Sequence, residues 1–120
     1  MKGSTLVAIH PAEHLVRLRP DNFTPLARTP WASRSIGRDY KATLVPQAAG
    51  LAIGESWEFS CDPVFPSHLA NSPMTLAEFV AQHPEDALSP DLMSVSQHAT
   101  CEILVKLLST AEPLSLQVHP

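Results

Sequence analysis

Glycine is scarce in this 120-residue chain, which has only 4, and none of them builds a phosphate-cradling loop. Basic residues are outnumbered, 8 Lys and Arg against 12 Asp and Glu for a formal net charge of −4, and positive charge concentrates nowhere. A nucleic-acid module of this size carries a basic patch, so no nucleic-acid partner is expected. No apolar window reaches the roughly 18 residues a membrane-crossing helix needs, and the run after Lys2 is too short for a secretory leader, so no membrane partner is expected. The 2 cysteines, Cys61 and Cys101, stand far apart and form no CxxC pair. Without a disulfide framework, a cytoplasmic setting is expected, with both thiols acting as small buried hydrophobes.

Proline, by contrast, is abundant. The 12 prolines are about twice ordinary usage and are scattered, which cuts the chain into short extended or turn segments. That disfavours long helices and a doubly wound sheet. With 44% apolar residues the chain reads as one domain over 1–120, α+β or mainly β with one or two short helices, sandwich and barrel types leading. Leu6 to Ile9 and Leu15 to Leu18 read as short strands or strand fragments within an irregular region, 1–28, and residues 20–40 carry no lasting period.

Ser56 to Ser60 alternates polar and aromatic residues, predicting a strand with Glu55, Trp57 and Phe59 on one face and a wet face of Ser56, Glu58 and Ser60. Thr75 and Glu78 form a capping-box pattern ahead of Leu76, Phe79 and Val80, and His83-Pro84 ends that helix. Ser89 to Met93 could open a further helical turn. Ile103 to Leu108 is nearly continuous apolar sequence, as in a strand buried on both faces. Beyond Glu112-Pro113, residues 114–119 alternate strictly, so Gln117 and His119 share a face about 6.5 Å apart.

An amide oxygen and an imidazole so placed can gather a metal ion, and imidazole suits zinc at about 2.0–2.1 Å; a solvated polar face is the plainer reading of that spacing alone. The other histidines, His10, His14, His68, His83 and His98, read as surface residues. Glu55 and Glu58 flank Trp57, and a carboxylate buried beside an indole can have a raised pKa suited to acid–base work; wet-face or rim carboxylates of a strand are the plainer reading.

The segment ILVKLLSTAEPLSLQVHP, Ile103 to Pro120, closely resembles the signature of type I mannose-6-phosphate isomerases. Three more segments agree in order: Thr29-Pro30-Trp31, the strand Gly54-Glu55-Ser56-Trp57-Glu58-Phe59-Ser60, and the helix Met74 to Val80. The sequence departs from the family at Ala32-Ser33, where a Gly-Gly pair commonly follows the tryptophan. The resemblance implies a cupin-like jelly-roll barrel that interconverts mannose 6-phosphate and fructose 6-phosphate through an enediol, with one Zn²⁺ as cofactor. It implies Gln117 and His119 as metal ligands, Glu55 as a catalytic candidate, and Trp31, Trp57 and Lys106 as substrate-pocket residues.

The family draws its remaining ligands, a Glu and a His, from sequence after the QVHP motif. The expectation is therefore an incomplete domain and site in this chain, with an open strand edge through which copies could pair. A cupin relative that binds a sugar or metal without turnover, or an inactive fragment, is the alternative.

Overall fold

A computed structural model describes residues 15–88 and 101–115. Its centre is a two-stranded antiparallel sheet of β1, Glu55–Phe59, and β2, Val105–Leu108. Glu55 pairs with Leu108, Ser56 with Leu107, Trp57 with Lys106 and Phe59 with Val105, so Glu58 is skipped in a bulge. A bulge bends its strand and changes where side chains point. Accordingly, Trp57 meets the Phe65 ring edge-on at 5.1 Å, whereas Phe59 packs against a cluster of Cys61, Leu76, Val80 and Leu88.

The second edge of β1 is covered by residues 22–24. Trp57 N donates to Asn22 O at 2.9 Å, Thr24 N donates to Glu55 O at 2.9 Å, and Phe23 bridges to Ser56. The face expected to be wet is therefore covered: Ser56 and Ser60 are fully buried. Glu58 also receives Lys41 Nζ at 2.5 Å, and that lysine is buried.

Lys41 arrives on a π-helical turn, Ile36–Lys41, which the proline-punctuated sequence did not announce. Bonding from i to i+5 places Ile36 and Lys41 on one face, and both are buried there. A 3₁₀ turn, Pro46–Gly50, packs beside it, so that Ile36, Ala48 and Ile53 form a second small core with Phe23 and Val45.

Helix α1, Leu76–Gln82, follows the expected signals closely. Thr75 Oγ1 accepts from Glu78 N at 3.1 Å and Thr75 N donates to Glu78 Oε1 at 2.8 Å. Leu76 and Val80 face the core, and Pro84 opens the short α2, Pro84–Ala87. The loop before α1 is tied to the end of β1, where Ser67 N donates to Ser60 O and Ser60 N to Ser67 Oγ, both at 2.9 Å. Thr75→Ala removes a cap and is expected to cost about 1 kcal/mol, read as a lower urea midpoint at unchanged slope, with Thr75→Ser close to wild type.

One expectation is narrowed and another corrected. Leu15 to Leu18 is a strand fragment at most: Leu18 bridges Leu69 antiparallel, with Arg19 N donating to His68 O at 2.9 Å and Ala70 N to Arg17 O at 2.8 Å, while Leu15 and Val16 are exposed. Strand β2 is exposed along its whole length, not buried on both faces, because among the described residues it pairs with β1 alone. A continuous apolar run fixes a strand's appetite for cover but not its partners. Leu6 to Ile9, Ser89 to Met93, and the alternating positions 116–119 lie outside the described residues.

Candidate active site

The loop carrying Trp31 is drawn onto the sheet by several contacts. Ala32 bridges to Thr110, Ala111 N donates to Trp31 O at 2.8 Å, and Ser109 N donates to Gly54 O at 2.8 Å. The hydroxyls of Ser33, Ser35 and Ser109 cluster at the same junction. Gly54 makes the approach possible, since a Cβ there would lie 2.5 Å from Thr29 Cβ and 3.0 Å from the Trp31 ring. Thr24 anchors the next residue, accepting from Glu55 N at 3.1 Å through Oγ1.

Between this loop, the β1–β2 ends and residues 112–115 lies a cavity of about 630 Å³, within the range of small-molecule sites. Trp31, Glu55, Lys106 and Glu112 line it. Three of the sequence candidates thus meet at one cavity, brought from three separate segments. Trp57 does not line it and instead lies behind Glu55, donating from Nε1 to Glu55 Oε1 at 2.6 Å. Lys106 Nζ donates to the same oxygen at 3.1 Å and sits 5.5 Å from the Trp57 ring centroid.

Of the two readings of Glu55, the surroundings oppose a raised pKa. Burial pushes the carboxyl up, but hydrogen bonds from Trp57 and Lys106, with the charges of Lys106 and Arg28, outweigh it and hold the group below its ordinary value. Burial beside an indole raises a carboxyl only when the indole gives nothing back, and here its N–H is a donor. Glu55 is therefore a fixed anion near neutral pH.

Because the folded value is the lower one, ionised Glu55 contributes stability above its unfolded value, near 4.5, and loses it as pH falls through the folded value. The melting-temperature gap between wild type and Glu55→Gln should hold steady at neutral pH and close on acidification. A gap unchanged into strong acid would contradict this assignment.

Two residues near the site were missed. Arg28 stands 5.3 Å from the Trp57 ring centroid and 5.6 Å from that of Phe65, and its charge reaches Glu55. Nothing in its spacing marks it, because both rings come from elsewhere in the chain. Glu112, next to Pro113, lines the cavity, and no pattern in the sequence marks it. Among the other candidates, Glu58 is committed to Lys41 and Ser56, and His68 and His83 are exposed as expected. Gln117, His119, His10, His14 and His98 lie outside the described residues.

Among the described residues no group of three or more His, Cys, Asp or Glu could hold a metal ion. Glu55, the carboxylate best placed at the cavity, already takes two donors on one oxygen. The described residues therefore do not by themselves fit a zinc ion. No helix among them is long and apolar enough to cross a membrane.

Comparison with known proteins gives one family. No curated protein and no solved structure matches the chain. The family model for phosphomannose isomerase type I, catalytic domain, matches residues 26–120, a span that includes the Trp31 loop, both strands and every residue lining the cavity. The chain belongs to the type I phosphomannose isomerase family.

Proposed function

We propose that the cavity between the Trp31 loop and the β1–β2 ends is the sugar-phosphate site of a mannose-6-phosphate isomerase. The observation that supports this reading is the convergence of Trp31, Glu55 and Lys106 on one cavity inside the family-matched span. The sheet and its covered edge at residues 22–24 would belong to a cupin-like jelly-roll barrel.

Aldose–ketose isomerisation moves a proton between C1 and C2 through an enediol, so negative charge builds on a sugar oxygen. The chain's own residues meet parts of that demand. The indole of Trp31 offers an apolar face to the sugar ring. Glu55, held ionised, accepts hydrogen bonds from sugar hydroxyls and orients them. Lys106 brings a positive charge to where oxygen charge develops. Zn²⁺ held by Gln117 and His119 belongs to the same reading on the sequence pattern alone, and when bound it supplies Lewis-acid polarisation of sugar oxygens.

The direct test follows mannose 6-phosphate in deuterated water by NMR, with and without added Zn²⁺, alongside binding detected from the protein's side. Fructose 6-phosphate formation with deuterium entering at the carbons that exchange protons is expected. Binding that perturbs Trp31, Glu55 and Lys106 without exchange would favour a sugar-binding relative, a reading to which the depressed Glu55 pKa lends weight. Neither binding nor exchange would sink the assignment.

A further inference from the structure

Cys61 and Cys101, far apart in sequence, are brought together by the antiparallel pairing of β1 with β2. Phe59 opposite Val105 is the last pair of that ladder, so the chain leaving β1 and the chain entering β2 lie at the same end of the sheet. Cys61 is 5% exposed and sits in the cluster of Leu76, Val80 and Leu88; Cys101 is half-buried and packs on that same cluster. Both are free thiols. Both also line a second cavity, of about 310 Å³, together with Trp57 and Ser60. This cavity is not the one proposed to bind sugar phosphate, and nothing in the isomerase reading uses either sulfur.

We propose that Cys61 and Cys101 are a peroxide-sensitive dithiol, a modification site that closes to an intramolecular disulfide across the open end of the sheet. The oxidant is a peroxide. Cys101 reaches solvent and reacts first: its thiolate sulfur attacks the peroxide O–O bond, one oxygen is transferred, and hydroxide leaves to give a sulfenic acid. Cys61 then attacks that sulfur as its thiolate. The S–S bond forms as the S–O bond breaks, and the departing hydroxide takes up a proton as water. Two thiols are oxidised by two electrons in total, and one hydrogen peroxide is reduced to two waters.

The order of events follows from the surroundings. Burial pushes the Cys61 thiol above its ordinary value; a backbone hydrogen bond at Cys101 works against this and the Cys101 thiol adds to it, so Cys61 waits as the protonated, resolving partner. Closure would pin the segment after β1 to the segment before β2, and the loop between them carries α1 and α2. It would also act on one wall of the active site. Trp57 lines the thiol cavity and donates to Glu55, so its emission is a reporter of closure.

The test uses the whole chain, reduced and then exposed to equimolar hydrogen peroxide. Both thiols should disappear together, the mass should fall by two hydrogens, and digestion should yield the Cys61 peptide joined to the Cys101 peptide. The melting temperature should rise, Trp57 emission should change, and a dithiol reductant should reverse all of it. In Cys61→Ser the reaction should stop at a Cys101 sulfenic acid that a cyclic 1,3-dione traps; in Cys101→Ser trapping should fall at least tenfold. Disulfide-linked dimers in place of the internal bond, independent oxidation of the two sulfurs to higher acids, or trapping mainly on Cys61 would each overturn the proposal.

Discussion

Under the proposed isomerase function, replacing Lys106 with methionine is expected to lower kcat for mannose 6-phosphate by about 10²–10³-fold, the usual loss when one preorganised stabiliser of developing oxygen charge is removed. Methionine keeps most of the length of the side chain while deleting the ammonium. The Lys106 side chain is 35% exposed and its ion pair with Glu55 spans 3.1 Å, so the pair itself should contribute about 1 kcal/mol or less to folding. A large loss of turnover with a small loss of stability is therefore the expected signature.

A second readout separates charge from packing. With Lys106 gone, Glu55 loses both a hydrogen bond and a neighbouring positive charge, so its carboxyl should move upward toward its ordinary value, visible in the carboxyl carbon shift on acid titration. Lys106→Arg, which restores the charge at a different geometry, should recover the carboxyl shift more fully than the rate. If Lys106→Met stays within about threefold of wild type in kcat/KM, this lysine has no part in the chemistry.

The sequence made some of this site legible and left other parts closed. Thr75 and Glu78 announced α1 because a cap is a local device, satisfied by residues three apart. The pairing of Glu55 with Trp57 was readable for the same reason, since strand alternation puts i and i+2 together. The gathering of Trp31 and Lys106 with Glu55 was legible only through resemblance to a family, because no periodicity links three segments this far apart.

What stayed hidden was set by partners at long range. The direction of the Glu55 pKa turns on Lys106 and Arg28, and the burial of Lys41 turns on Glu58, a residue seventeen positions away. The meeting of Cys61 and Cys101 at one cluster and one cavity depends on the register of β1 against β2, which shifts at the Glu58 bulge. Strand β2 was misjudged for a related reason: its apolar run says what the strand would bury, while exposure is decided by which neighbours are present. The ligand-like spacing of Gln117 and His119 rests on pattern and resemblance alone, since both fall outside the described residues.

The largest effect on folding is expected at Gly37, on the π-helical turn behind the site. A Cβ at this position would lie 2.0 Å from Ala48 O and 2.9 Å from Ala48 C, both backbone atoms. Ala48 O cannot simply yield, because it accepts from Leu51 N at 3.0 Å, and Ala48 itself is fully buried between Ile36 and Ile53. Gly37→Ala must therefore break that turn or part the two segments and open the small core they share. Overpacking against a fixed backbone costs at the upper end of such substitutions, about 3 kcal/mol or more, against a total of about 5–15 kcal/mol for a domain.

The damage should spread to the site by a short route. Lys41 leaves the same turn to reach Glu58, and Ile53 precedes Gly54 at the entry to β1. Gly50→Ala is the matched control: a Cβ there meets nothing within 4 Å, so its effect should stay within about 0.5 kcal/mol. Urea unfolding of the two variants beside wild type decides the matter. A Gly37→Ala chain as stable as Gly50→Ala would mean that the π-helical and 3₁₀ turns do not pack in the contact described, and the placement of Lys41 against β1 would fall with it.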